Sequence, residues 1–389
     1  MKVLIVRTFP DILNLNTYNV QEIGLAKALA CKGLECSVAL YHGKNPDKEE
    51  RVTFVKDGRE YAYTIYWLKG FGFYKNGFMP SVYRLIPDYD VIQVHEYDQI
   101  MSWMLYTRQK RPTLIYHGPY YHPYARGYNL KCKVFDQLFF RWRRHDQVVA
   151  LTKSELAAGF LRDKGFRHVH AVGVGVDPDK FRIGEQEEVA CLLDRDESRF
   201  RLLYVGKIEE RRNVYFLVEL FEKMQEKHEN LQLVIVGDGE EEYVRAFLER
   251  IDKWIQKGKI IYFKKASQKE LALLYSNVDL FVFTSNYEIF GMVLLEAMYF
   301  GLPVISSANG GASVLIRDGI NGYMMEGFEA EKWECALERL LEDRELYERM
   351  KRAAHDRITE HFFWDRLADR FIAGYEEAVR LFAGDISGK

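Results

Sequence analysis

The chain has 389 residues, 48% hydrophobic and 29% charged, which describes a soluble globular protein. It is too long for one ordinary core and predicts two domains of about 150 to 200 residues. No run reaches the roughly 18 apolar residues of a membrane-spanning helix. Cysteines 31, 36, 132, 191 and 335 are odd in number and lack C-x-x-C spacing, so they give neither a disulfide framework nor a zinc site and fit the reducing cytoplasm.

The net charge of −2 hides an asymmetry. Residues 1–172 carry 25 Lys and Arg against 16 Asp and Glu, a balance of +9; the remainder carries 30 against 41, a balance of −11. An anionic partner for the basic half and mutual attraction between the halves both fit.

The opening MKVLIVRTF reads as a first strand, because Arg7 interrupts the apolar run and no signal-peptide cleavage site follows. Val3–Val6, Cys36–Tyr41, Asp90–Val94, Thr113–Tyr116 and Gln147–Leu151 are short Val- and Ile-rich runs separated by helix-length segments, the pattern of a parallel sheet covered on both faces. A helix from Tyr18 to Lys32 stops at Gly33. Arg51–Trp67 alternates like a hairpin around Asp57-Gly58 and reads as an insertion on the α/β plan.

Residues 173–200 are polar, lack periodicity and read as an interdomain connection. Strand and helix patterns then resume with Leu202–Val205, Leu233–Val236, Ile260–Phe263, Leu280–Phe283 and Pro303–Ser306, predicting a second doubly wound domain. The predicted division is therefore 1–172, 173–200 and 201–363. An amphipathic helix at 364–382 follows, free to pack back on the first domain.

Between Glu288 and Arg317 the only formally charged residue is Glu296, inside the apolar helix-like run FGMVLLEAMYF. A buried carboxylate costs several kcal/mol unless it is partnered. Its partner is either a structural one within the chain or a ligand. Open α/β sheets bind ligands at the carboxyl ends of their strands, and polar motifs follow the strands here. Gly206 is followed by Lys207, Arg211 and Arg212, cations at the start of a helix and suited to phosphate. Asp238 in GDGEEE reads as a helix cap. Glu288 precedes a helix whose Gly291 permits close backbone approach, with the N–H groups of Gly291 and Met292 free to face a ligand. Gly310 and Gly311 mark a second loop under close contact.

In the first half, His117 ends a strand and is either a functional group or a histidine bonded to backbone; His95 and His122 are similar candidates. No metal-ligand cluster is visible in the spacing. The loop FPDILNLNTYNV offers Asn14, Asn16 and Thr17 in place of glycines.

Gly206-Lys207 with Arg212, Glu288 with Glu296 as E-x7-E, AMYFGLPVI at 297–305, Gly310-Gly311 and DGING at 318–322 together resemble retaining glycosyltransferases of the GT-B fold, family 4, the group 1 family. The resemblance implies an α/β protein with two Rossmann-like domains facing across a cleft. It implies transfer of a sugar from a nucleotide diphosphate sugar, a uridine diphosphate sugar being favoured, to a saccharide or lipid-linked acceptor with retention. In that reading Glu296 accepts the ribose hydroxyls, Lys207 and Arg212 hold the diphosphate, and Glu288 with the Phe290–Met292 backbone contacts the donor sugar or its phosphate. His117 faces the sugar, base contacts fall near Lys264–Ala266, and neither metal nor other cofactor is expected. Val314 stands where many relatives carry Glu, and the glycine-rich first loop is missing.

Other classes remain as alternatives: a GT-B sugar-nucleotide epimerase, or a nucleotide-sugar-binding protein without turnover. No nucleic-acid partner is indicated. The stretches 66–83 and 128–144 mix aromatics with Lys and Arg and suit a saccharide platform or a membrane surface, or else are ordinary core helices. With the basic first half they point to peripheral contact with an anionic membrane, at the inner face of the cell membrane, in polysaccharide or glycolipid synthesis.

Overall fold

A computed structural model describes residues 1–15, 20–108, 111–142, 145, 147–178, 193, 196 and 198–387. Asn16 and Thr17 of the first loop, most of the predicted connection, and Arg143 and Arg144 lie outside the described residues. The chain forms two compact units, Met1–Asp177 with Phe362–Lys389, and Pro178–His361.

The first unit runs β1 (Lys2–Val6), α1 (Gln21–Cys31), β2 (Glu35–Tyr41), β3 (Lys48–Lys56), β4 (Arg59–Leu68), β5 (Phe71–Phe73), β6 (Asn76–Phe78), α2 (Val82–Leu85), β7 (Val91–His95), α3 (Ile100–Arg108), β8 (Thr113–His117), α4 (Arg126–Leu138), β9 (Val149–Thr152), α5 (Glu155–Asp163) and β10 (His168–Ala171). Eight of these strands form one sheet in the order β10-β9-β8-β7-β1-β2-β4-β3, parallel except for β3 at its edge. Strands such as β1 and β7 are buried along almost their whole length, which is why they read as continuous apolar runs rather than alternating ones. The Asp57-Gly58 turn has both residues at positive φ, 50° and 72°, as a tight hairpin requires. The hairpin is not a detached insertion, because β4 pairs in parallel with β2 and extends the main sheet. Residues 66–83 hold no long core helix; β5 and β6 form a small separate hairpin there.

The second unit runs β11 (Phe200–Val205), α6 (Val214–Lys227), β12 (Leu231–Val236), α7 (Glu241–Gln256), β13 (Ile260–Phe263), α8 (Gln268–Ser276), β14 (Leu280–Phe283), α9 (Met292–Tyr299), β15 (Val304–Ser307), α10 (Ala312–Leu315), β16 (Tyr323–Met325), α11 (Ala330–Glu342) and α12 (Arg344–His361). Its six strands are all parallel, in the order β13-β12-β11-β14-β15-β16.

The last helix, α13 (Trp364–Ser387), belongs to the first unit. Trp364 lies so close to Gly24 and Gly175 that a Cβ there would stand 2.2 and 2.3 Å from the indole. Further along, the Tyr375 hydroxyl donates to Gln93 Oε1 at 2.6 Å in the core, and Glu377 takes His168 and His170 at 2.8 Å each. No helix among the described residues is long and apolar enough to cross a membrane.

Candidate active site

In each sheet the connection reverses direction at one point, beside β1 in the first unit and beside β11 in the second. At such a switch point the loops after two adjacent strands diverge and leave a crevice at the strand ends. In the second unit those loops follow β11 and β14, and they carry most of the predicted residues.

After β11, Gly206 closes the strand with its N–H on Val236 O, and Lys207 is exposed with no ion pair among the described residues. The Tyr204 hydroxyl donates to Lys207 O at 2.9 Å and fixes the turn. Arg211 and Arg212 do not lie in the first turn of α6 as the sequence pattern predicts. They sit in a 3-10 turn, Glu210–Arg212, which left-handed Asn213 separates from α6.

The two arginines have different jobs. Arg211 braces the loops: Nη1 donates to Tyr287 O at 2.5 Å, Nη2 to Glu209 Oε1 at 2.7 Å, and its carbonyl accepts from Asn286 N–H. Arg212 lies over the Phe283 ring, donates to Ser285 Oγ at 3.2 Å and pairs with the Glu288 carboxylate.

Glu288 is held at both ends. Its carbonyl accepts from Gly310 N–H at 3.0 Å while its carboxylate faces Arg212. Gly291 has φ +74° and opens α9, a conformation that disfavours any side chain. Gly310 and Gly311 are under close contact, but with the chain itself: a Cβ on Gly311 would stand 1.6 Å from Phe290 O, and one on Gly310 would stand 2.5 Å from Glu288 O. The Gly310-Gly311 pair thus sets the height of the Glu288–Phe290 loop.

Glu296 is 2% exposed, and the Tyr275 hydroxyl on α8 donates to its Oε2 at 3.0 Å. The isolated carboxylate therefore has a partner inside the fold, one that nothing in the local sequence announces. Met292 begins the same helix and Phe290 is buried. DGING is a turn satisfied from within: Asn321 Oδ1 accepts from Arg317 N–H at 2.7 Å and Asp318 Oδ1 from Met324 N–H at 2.8 Å. Asp238 does not cap α7, which begins after Glu240; it accepts from Gly239 N–H instead.

In the first unit the strand ends gather a second polar cluster. His117 has no exposed surface and its ring stacks on Phe160 with Tyr97 edge-on. His117 Nδ1 lies 2.5 Å from Glu96 Oε2, which also accepts from Gly118 N–H at 3.2 Å. Glu96 has φ +58°, a costly conformation outside glycine. Burial pushes the Glu96 carboxyl up, but the His117 imidazole, Lys153 and the Gly118 N–H together outweigh it and hold the group at about 2. His95 is a separate case, buried and pushed down to about 4 by that burial, with Glu22 Oε1 3.6 Å from its Nδ1. His122 caps a short turn by accepting Tyr124 N–H.

Glu96, Asp98 and His117 bring ligand-type atoms within 4.8 Å of one another, a cluster that spacing along the chain did not disclose. Lys131 Nζ stands 2.8 Å from Asp98 and the His117 ring faces Glu96, so groups of the chain already meet both carboxylates. Glu96 was missed in the sequence, although a carboxylate directly after the strand-end His95 was a signal for it.

The family model described as "Glycosyl transferases group 1" matches residues 190–357, and that described as "Glycosyltransferase Family 4" matches residues 23–180. A probable sucrose-phosphate synthase of Thermosipho melanesiensis is 32% identical over 188 residues, 46% of this chain and 42% of that protein. The chain spans about half the length of the curated relatives it matches. Among solved structures, sucrose-phosphate synthase from Thermosynechococcus elongatus superposes with a TM-score of 0.71 at 16% identity, covering 99% of this chain and 100% of that one. Anabaena HepE in complex with UDP and glucose gives 0.67 at 15% identity, covering 97% and 99%. The two family models together with the two Rossmann-like units show that the chain belongs to the family 4 glycosyltransferases of the GT-B fold.

Proposed function

We propose that the protein transfers a sugar from a nucleotide diphosphate sugar to a saccharide or lipid-linked acceptor, with retention of configuration and without a metal. The observation that carries the reading is the set of groups at the β11/β14 switch point: exposed Lys207, and Arg212 held by Ser285 and Glu288. A diphosphate leaving group gains negative charge as the glycosidic bond breaks. Fixed cations aimed at it are therefore worth more in the transition state than in the ground state.

Lys207 and Arg212 hold the diphosphate, and Glu288 orients Arg212 and contacts the sugar or its phosphate together with the Phe290–Met292 backbone. Glu296 accepts the ribose hydroxyls with the carboxylate that Tyr275 steadies. The departing phosphate takes the acceptor's proton on the same face. Backbone near Lys264–Ala266 meets the base, for which uridine is favoured; a neighbour of this fold is known in complex with UDP and glucose. We place the protein on the cytoplasmic side, in peripheral contact with an anionic membrane, in polysaccharide or glycolipid synthesis.

Donor hydrolysis and transfer, measured against a panel of uridine, guanosine and adenosine diphosphate sugars with saccharide and lipid acceptors, test the reading. Turnover of one donor is expected. Binding without hydrolysis or transfer of any donor would reduce the protein to a nucleotide-sugar-binding role.

A further inference from the structure

We infer that the outer face of α4 is the surface by which the protein docks on an anionic membrane. This rests on the peripheral contact proposed above and names the element that makes it. Leu130, Val134 and Leu138 recur every four residues and so form one stripe along the helix. They are 64%, 50% and 63% exposed. Single exposed leucines are ordinary; three aligned on one helix face mark a surface awaiting a partner.

The stripe cannot turn inward, because the opposite face of α4 is fixed. Cys132 and Phe135 are buried in the core, and Lys131 stands 2.8 Å from Asp98. Asp136 accepts from the Tyr97 hydroxyl at 3.2 Å and pairs with Lys164.

Charge selects the partner. Arg126 and Lys133 on the helix and Arg141 just beyond it are exposed. Asp136 is the only acid in the helix, and it is taken up by Lys164. Among the helix's own exposed charges, the apolar stripe is thus accompanied by cations alone. Aliphatic side chains entering the acyl boundary with cations at headgroup level is the arrangement of an interfacial helix on anionic lipid. A protein partner would have to carry an apolar face with a matching acidic rim, whereas an anionic bilayer supplies both over its whole surface.

The aromatic hairpin β5–β6 is the competing element, since Phe71, Phe73 and Tyr74 are also exposed. Its only exposed cation in the tip is Lys75, so the charge argument favours α4.

Sedimentation of the full chain with vesicles of about 30% phosphatidylglycerol in phosphatidylcholine, against pure phosphatidylcholine, tests the inference. Binding is expected to the anionic vesicles only, weakening as salt is raised. The combined Leu130→Ser, Val134→Ser and Leu138→Ser variant is expected to bind about tenfold more weakly, with an unchanged thermal transition because all three positions are exposed. If wild-type protein binds and this variant binds equally well, or if Phe73→Ser with Tyr74→Ser abolishes binding instead, the assignment to α4 is overturned while peripheral contact stands. If wild-type protein fails to bind anionic vesicles at low salt, peripheral contact itself falls. A dimer in sedimentation velocity that the triple variant abolishes would make a second copy the occupant and overturn the proposal.

Discussion

The guanidinium of Arg212 pairs with the carboxylate of Glu288, 76 residues further along the chain, with side chains only 13% and 16% exposed. Altering either residue takes a close charged partner from the other. Arg212→Ala is expected to destabilise the protein by about 1 to 3 kcal/mol, because a largely buried carboxylate loses its cation. Glu288→Gln keeps an acceptor for the arginine and is expected to cost less. Turnover is expected to fall at least about tenfold in the arginine variant, which removes a cation that stabilises the charge developing on the leaving group. Thermal unfolding of both single variants and the double variant gives the coupling directly; strictly additive effects would break the pairing argument.

Glu296→Gln is expected to weaken uridine diphosphate binding by roughly 1.5 to 3 kcal/mol, the range of a lost charged hydrogen bond. Tyr275→Phe removes the hydroxyl from the same carboxylate and is expected to lower stability by about 1 kcal/mol with a smaller change in affinity. Titration calorimetry separates the two. Unchanged affinity in Glu296→Gln would leave the buried charge a structural role, with Tyr275 among its partners.

Two glycines of the second unit should respond differently to alanine. At Gly311 the new Cβ meets Phe290 O at 1.6 Å, so the Glu288–Phe290 loop must move. Loss of at least about 2 kcal/mol and of nucleotide affinity is expected. At Gly319 there is nothing within 4 Å and the cost comes from φ +72° alone, about 1 kcal/mol with affinity retained. Equal behaviour in denaturant titrations would mean that the loop contact carries no weight.

Acid should weaken the first unit in two stages. His95 is held down at about 4 by burial, so between its ordinary value near 6.5 and about 4 the unfolded chain binds the extra proton. The stability it contributes is complete above pH 6.5 and is lost as pH falls toward 4, at about 1.4 kcal/mol per unit. Glu96, held at about 2 beside His117, contributes stability present above its ordinary value near 4.5 and lost as pH falls through 2. Urea midpoints measured from pH 7 to pH 4 are expected to drop steadily in wild-type protein and to flatten in His95→Gln. A parallel drop in both would place the titration elsewhere.

The sequence alone was enough for most strands of both sheets, because each is a short apolar run bounded by its own turn, and for the left-handed Asp57-Gly58 corner, which is local chemistry; β5, β6, β10 and β16 were not read from it. It singled out Glu296 by isolation in an apolar helix, and the ordered motifs around it identified the family. Partners were another matter. Strand order places β7 against β8 and so brings Glu96 to His117, and it places β14 against β11 and so brings Glu288 to Arg212. Neither adjacency is written in the residues near those positions. Tyr275 reaches Glu296 from a different helix for the same reason. The pairs Gly310 and Gly311 announced close contact but not that the neighbour was the chain's own backbone. On α4, Leu, Lys and Arg give one pattern whether the leucines face core or solvent. Only the anchoring of Cys132, Phe135 and Asp136 turned Leu130, Val134 and Leu138 outward. Local sequence sets conformation and polarity; which groups neutralise one another, and which apolar faces stay uncovered, depends on contacts between segments far apart in the chain.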